Sequence, residues 1–472
     1  MTDTKEAKVN TPCGAYNNMA SQWTLIDDLL GGTAAMKARG ATYLPKFEKE
    51  GDKHYAARVN NSRLFNAYGD TACCIASKPF SKQLDIKGEL PEPLSEIEDD
   101  VDGMGKSLLQ LAKDIFWNYI NRGLGHILVD YPKTIDENGG SPNRKQERDA
   151  GYRPRFIHIK PDQLIGWRTE QDISGKPYLS QIRIAEVRNE PEGAWGEKLV
   201  NYIRVIGPDY WQLYSQMDKD EYSLMEEGVN SLGKVPLVTG YANMTGFLTS
   251  EPPLRDLAET NLAHFQSDSD QRNLLHMART ATLFVKGFSE DEADKIALGP
   301  NQIISTTDIN ADARFVEVNG NAISAGRDDL QDLKDEMVML GLQPFYQRSG
   351  TQTATGQGID ESRANCDIQA WVMSLEDLFY RAYVLSAEWI KLELPDDFKV
   401  NVHNDFAIWV LAMQHVGELV KIRQAGELSR RTFLHEVRRR GLLSETVDID
   451  EEIANIEAEG PALGMIGLGD EE

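Results

Sequence analysis

EPPLRDLAETNLAHFQSDSDQRNLLH (residues 251–276) opens the stretch that decides the fold. Its two prolines stand where a helix begins, because N–H groups of a first turn have no intrahelical partner to lose. Leu254, Leu257, Ala258, Leu262 and Phe265 then recur at helical spacing, so the expected helix runs from 251 to about 279. TATLFVKGF (280–288) is β-rich, and an acidic helical turn follows over 289–298. NQIISTTD (301–308) and ARFVEVNG (313–320) read as two more strands. The chain then returns as a second helix over about 324–346. Leu330, Leu333, Met337 and Leu340 form its apolar stripe, while Asp328, Asp329, Asp332, Asp335 and Glu336 crowd the other faces. At 1.5 Å per residue such a helix is about 30 Å long. Two helices joined by a compact insert make a stalk with a tip.

QRSGTQTATGQG (347–358) has three glycines, three threonines and no large apolar residue, which predicts an exposed loop. It leads into a long helix over 359–392, marked by Ile368, Trp371, Val372, Leu375, Leu378, Phe379, Ala382, Leu385 and Trp389.

With GKVPLV (233–238), YLP (43–45), GHILVDYP (125–132), RPRFIHI (153–159), LGLQPF…TQTATG (340–356) and AGELSRRTFLHEVRRRGLL (425–443), the order of these segments resembles that of tailed-bacteriophage portal proteins. The wording is similar to the portal family formerly catalogued as a phage domain of unknown function. The resemblance covers nearly the whole chain, and its specificity lies in order and spacing. It implies an α+β portal fold. The wing would take 1–250, the first stem helix 251–279, the clip 280–322 and the second stem helix 323–346. A tunnel loop (347–358), a long wing helix with a returning strand (359–405) and a C-terminal helical crown region with an acidic tail (406–472) complete it.

The resemblance further implies a homo-oligomeric ring of about twelve copies at one capsid vertex of the virion. Double-stranded DNA would pass through it, without sequence preference, during packaging and ejection. Terminase and then head–tail adaptor proteins would dock on the clip, and major capsid or scaffolding protein would meet the wing. The residues singled out on this basis are Arg348, Ser349, Gly350, Thr351, Thr353, Thr355, Gly356 and Gly358 for the tunnel loop. Asp328, Asp332, Asp335 and Glu336 are the acids expected to line the tunnel. Phe284, Lys286, Phe315 and Glu317 are expected at the clip's partner interface. No catalytic residue, metal or cofactor is expected.

The 472-residue chain is long enough for two or three domains. No apolar run reaches the ~18 residues of a membrane span, and the polar start MTDTKEAKVNTP lacks a signal-peptide core. Cys13, Cys73, Cys74 and Cys366 show no metal-ligand spacing and suggest a reduced cytosolic origin. Fifty basic against 75 acidic side chains give a net charge of −25. A protein that grips DNA phosphates would be basic. A ring of roughly twelve such chains, near −300 in total, suits a channel through which DNA slides; the plainer account is solubility. The stem acids likewise have a plainer account as a solvated helix face.

Residues 1–60 read as helical, with Trp23, Ile26, Leu29 and Leu30 in one patch and an extended break at YLPKF (43–47). A second helix is expected over 55–78, before Pro79. The acidic run EIEDDVDG (96–103) ends in GMGKS (103–107), which invites a nucleotide-binding reading. A P-loop needs a glycine five residues before Gly105, where backbone meets phosphate, and Asp100 stands there between Asp99 and Asp102. The alternative is that Ser107 starts an amphipathic helix over 108–121. HILVDYP (126–132) is a buried strand, and alternating runs between 156 and 237 suggest a β-meander. FKVNVHND (398–405) adds a strand; helices follow near 408–424, capped by Ser429 over 432–440, and before Gly460. Arg430, Arg431, Arg438, Arg439 and Arg440 meet either DNA or the acidic tail. His264 and His276, three turns apart on one helix, cannot share a metal. Two rival readings remain: a cytosolic nucleotide-binding enzyme, and a prophage-encoded interaction scaffold.

Overall fold

The computed structural model describes residues 8–131, 152–218, 221–279, 282–287, 308–316, 320–341, 354–404, 406, 409–439, 442–443 and 447–458. The chain divides into two units, one of residues 1–346 and 370–403, the other of 347–369 and 404–472. Helix and sheet are mixed throughout the first unit.

That unit begins with helices α1 (Gly14–Leu30), α2 (Gly32–Ala38), α3 (Asp52–Asn61) and α4 (Ala67–Ser77). Met19, Trp23, Ile26 and Leu29 give α1 its buried face. The helix expected over 55–78 is two helices, not one. Ser62 ends the first in an extended conformation, and the Asn66 side chain caps the second by accepting from the Gly69 N–H. Short polar side chains that bond nearby backbone compete with helix continuation. Strand β1 (Asp85–Lys87) and the single turn α5 (Glu92–Ser95) lead to α6 (Leu108–Arg122). Ser107 caps α6 in a capping box with Gln110, and Gly123 ends it at φ +84°.

Beneath α6 lies a three-stranded antiparallel sheet in the order β3 (Arg155–Ile159), β2 (Leu124–Asp130), β9 (Leu237–Tyr241). Gly125 of β2 pairs directly with Gly240 of β9. A Cβ on Gly240 would collide with the Tyr119 hydroxyl, and one on Gly125 would stand 2.9 Å from Ile115. The glycine pair is what lets α6 lie flat on the sheet. The β-meander expected over 156–237 divides between sheets: β3 and β9 flank β2. β4 (Leu164–Gln171), β5 (Pro177–Glu192), β6 (Gly196–Ile206), β7 (Tyr210–Asp218) and β8 (Glu221–Val229) form a five-stranded meander. A buried strand such as β2 recruits neighbours by hydrophobicity on both faces, not by sequence order. Leu128, Ile159, Leu164, Ile182, Ile184 and Ile206 join the two sheets in one core. A small hairpin, β10 (Met244–Gly246) with β11 (Thr249–Ser250), precedes the long helices.

α7 (Arg255–Arg279) starts four residues later than expected, because Pro252 and Pro253 form the turn before it. β12 (Thr282–Lys286) pairs antiparallel with β13 (Asp312–Val316), and α8 (Gly320–Leu340) returns alongside α7. α9 (Ala354–Ile390) belongs to the first unit from residue 370 onward. There Val372, Leu375, Leu378, Phe379, Ala382 and Tyr383 are buried. Tyr383 meets Phe156 and Phe398 edge-on at 5.1 Å. β14 (Lys399–Asn401) returns to pair with β1.

In the second unit, α10 (Trp409–Gln424), α11 (Arg430–Arg439) and α12 (Ile449–Ala458) follow one another. Ser429 caps α11 through the Thr432 N–H, and Asp448 caps α12 through the N–H groups of Asp450 and Glu451. Arg431 reaches Asp450 at 2.8 Å, so part of the arginine cluster pairs with the acidic C-terminal segment.

Candidate functional site

The α7–α8 pair and the β12–β13 ribbon it carries are the elements on which the functional reading rests. α7 is held between Asn261 and Asp270 by five side-chain contacts with the segment over residues 43–68. Asn261 accepts from the Tyr68 N–H at 3.0 Å and donates to the Phe65 carbonyl at 2.8 Å. Gln266 donates to the Tyr43 carbonyl, and Ser62 donates to Ser269. Arg58 donates to both Glu50 carboxylate oxygens at 2.9 Å, to the Pro45 carbonyl at 2.6 Å, and reaches Asp270 at 3.5 Å. Its side chain is 2% exposed and that of Glu50 8%. Arg58, despite partial burial that acts upward on acids, holds the Glu50 carboxyl below its ordinary range, chiefly by this paired hydrogen bond. Beyond Asp270 no residue of α7 is fully buried, and in α8 only Met337 is. The far part of the pair therefore stands clear of the core.

The two helices approach closely where Gly326 faces Gln271, whose amide donates to the Ile323 carbonyl at 2.9 Å. At 100° per residue, Asp328, Asp332, Asp335 and Glu336 fall within about a 100° arc of α8, opposite Met337. Asp328, Asp332 and Glu336 are exposed; Asp335 is half-buried and accepts from Gln331. The structure thus brings the four predicted acids onto one face. In the ribbon, Phe284 is 43% exposed beneath the Arg314 guanidinium, and exposed Lys286 is registered against Asp312. Phe315 is paired with Leu283 by its backbone, whereas its side chain and Glu317 lie outside the described residues. So do Arg348, Ser349, Gly350, Thr351 and Thr353, and residues 301–307 of the strand expected at 301–308.

The expected loop over 347–358 is corrected at its end: Thr355, Gly356 and Gly358 lie in the first turns of α9, which opens at Ala354 instead of 359. The second stem helix likewise spans Gly320–Leu340 rather than 323–346. Glycine and threonine are tolerated at such an opening because a first turn lacks intrahelical acceptors for its N–H groups.

His264 is 3% exposed, 5.6 Å from the Phe65 ring, and neither of its ring nitrogens has a hydrogen-bond partner among the described residues. Burial, then Lys334, lowers its pKa, so it is neutral at pH 7. Sequence spacing singled out this histidine but carried no sign of its burial; nor did any signal mark Arg58 or Asn261.

GMGKS does not form a phosphate cradle. The Asp100 carboxylate accepts from the N–H groups of Gly103 and Gly105 at 2.8 and 2.9 Å, the donors a phosphate would use. Burial acts upward on Asp100, yet these bonds and Arg153 keep it below the usual carboxylate range. Lys106 turns to Asp114 at 2.6 Å. A cleft of about 270 Å³ near Asp130, Trp211 and Trp389 also holds Arg188 and Arg204, and both turn onto Glu186. Among the described residues no group of three or more His, Cys, Asp or Glu side chains is placed to hold a metal. Among them, too, no helix is long and apolar enough to cross a membrane.

Residues 253–390, spanning α7 to α9, match the family described as Domain of unknown function (DUF4055). No curated protein matches the chain. Among solved structures the chain is similar to one in the neck of an empty GTA particle computed with C6 symmetry. Identity there is 10% and the TM-score 0.44, over 79% of this chain and 90% of that one. It is also similar to a chain of the virion of a native gene transfer agent particle, at 10% identity and TM-score 0.43 over 86% and 98% of the two chains. A third likeness is to the neck of a native GTA particle computed with C12 symmetry, at 10% identity and TM-score 0.43 over 79% and 89%.

Proposed function

We propose that this chain is a bacteriophage portal protein, a ring-forming virion component whose α7 and α8 serve as stem helices around a DNA channel. The observation that carries the reading is the acidic face of α8. Asp328, Asp332, Asp335 and Glu336 share one arc opposite the single buried residue of that helix, on a helix pair clamped at its base and bearing a β-ribbon. Duplex DNA carries a charge about every 1.7 Å of its axis. A carboxylate wall facing that charge repels it evenly and prevents adhesion, which is the property a conduit needs. The ribbon, with exposed Phe284 and Lys286, is the clip on which terminase and then head–tail adaptors dock, and the sheet-bearing part is the wing that meets capsid or scaffolding protein. The role is structural and uses no nucleotide: Asp100 occupies the donors of the one glycine loop that resembles a P-loop.

Light scattering tests this. Purified protein should elute as a species of about 600 kDa, a ring of roughly twelve 52.9 kDa chains, with or without ATP. A 52.9 kDa monomer at every concentration, or an ATPase activity lost in Lys106→Ala, contradicts it.

A further inference from the structure

The cleft beside Asp130 is built by β2, the five-stranded meander and α9, all within the first unit. Trp211 forms one wall. Its indole lies against Gly228, its register partner on β8, where a Cβ would stand 2.6 Å from the indole nitrogen. Trp389 forms another wall, stacked on Tyr131 with ring centroids 5.9 Å apart and planes 28° apart. The same cleft holds a polar pair that the fold leaves unused. The Asp130 carboxylate accepts from the Tyr131 N–H through Oδ1 at 3.1 Å. Its Oδ2 stands 3.9 Å from Arg204 Nη1, too far for a hydrogen bond. Neither of these two atoms has a hydrogen-bond partner among the described residues. The Nε and Nη2 atoms of Arg204 lie 2.6 and 3.3 Å from the Glu186 carboxylate, which fixes the guanidinium in place.

Charge, size and shape narrow the ligand. Two acids, Asp130 and Glu226, and two arginines, Arg188 and Arg204, line the cleft, so it favours neither a phosphate nor an ammonium group. Its volume of about 270 Å³ is near the lower bound of small-molecule sites and suits one ring system, not a length of chain. Aromatic walls favour a flat group, and the unused pair requires an acceptor and a donor side by side on its edge. We propose that the cleft binds a nucleobase, guanine in particular. O6 of the base accepts from Arg204, the adjacent N1–H donates to Asp130, and the ring lies against the Trp211 indole. The N2–H group beside N1 reaches the second lone pair of Oδ1. Burial pushes the Asp130 carboxyl above its ordinary range, against the pull of Arg204 and the Tyr131 N–H; donors on the ligand act with that pull. A neutral lining leaves any attached phosphate outside. The base comes from a free nucleoside or from single-stranded DNA, because a duplex hides the edge that this cleft reads. The site is separate from the channel and needs no hydrolysis.

The test is isothermal titration calorimetry of the full chain with guanosine, N1-methylguanosine, a short single-stranded DNA of mixed sequence and the matching duplex. Guanosine should bind at least about tenfold more tightly than N1-methylguanosine, which lacks the donated proton and leaves Asp130 unpaired. That comparison needs no variant, so misfolding cannot imitate it. Asp130→Asn should weaken guanosine binding by a similar factor, with an unchanged urea midpoint. Single-strand binding that Asp130→Asn weakens in the same way, without guanosine binding, supports the site and makes a DNA base its ligand. Guanosine binding without single-strand binding makes the ligand a free nucleoside. No binding of either probe at millimolar concentration overturns the inference. So does equal affinity for guanosine and its N1-methyl form, or single-strand binding that Asp130→Asn leaves unchanged. A duplex bound as tightly as the single strand overturns it too. None of these outcomes bears on ring formation, which light scattering decides separately.

Discussion

At the scale of single residues, the stalk depends on polar contacts whose partners are far apart in sequence. Arg58 is the clearest. It is buried, bonded to Glu50, and reaches α7 at Asp270. Arg58→Ala leaves Glu50 buried without its counter-charge and should cost about 3–5 kcal/mol in denaturant unfolding. The same pair predicts a pH dependence. Because the folded-state pKa of Glu50 is depressed, its contribution is full above the unfolded value of about 4.3 and is lost as pH falls through the folded value. Urea midpoints measured from pH 7 down to about 3 should therefore fall less steeply in Glu50→Gln than in the parent; equal slopes would contradict the pairing. None of this was legible in the sequence, where Arg58, Asn261 and Gln266 look like any polar residues on solvated helix faces. A polar side chain signals burial only through its partners, and those lie up to about 200 positions away.

Among elements, what was legible followed from local chemistry. Ser107 before an amphipathic run marked the start of α6, where the structure adds a capping box with Gln110, and Ser107→Ala should cost about 1 kcal/mol in thermal or chemical unfolding. No change would mean that the capping box contributes nothing. The apolar spacing from Leu254 to Phe265 likewise identified α7, and Val372 to Ala382 identified α9. Boundaries were less legible: the true ends of α7, α8 and α9 depend on proline turns and on first-turn N–H groups, which periodicity does not report. The pairing of β2 with β9 and of β1 with β14 spans long stretches of chain, so no local pattern announced it. At the ribbon, Phe284 is exposed, with the Arg314 guanidinium over its ring. Phe284→Asp should change stability by less than about 1 kcal/mol yet weaken terminase docking in a pull-down with assembled rings. Undiminished docking would remove the ribbon from the partner interface.

For the whole molecule, the charge of −25 and the acidic arc of α8 act in the same direction. The free protein should bind duplex DNA only weakly and without sequence preference at physiological salt. Sub-micromolar binding to one defined sequence would speak for a regulator instead of a conduit. The resemblance implied a wing, a stem and a crown, but nothing in the sequence announced that residues 347–369 group with residues 404–472 in a unit of their own. The central claim is that many copies close around a channel with α8 turned inward. Single-particle electron microscopy of the purified protein tests it most directly. The account predicts a closed symmetric ring with an axial opening, in which Asp328, Asp332 and Glu336 of every copy face the lumen. Monomers, open filaments, or a ring whose α8 acids face outward would contradict it.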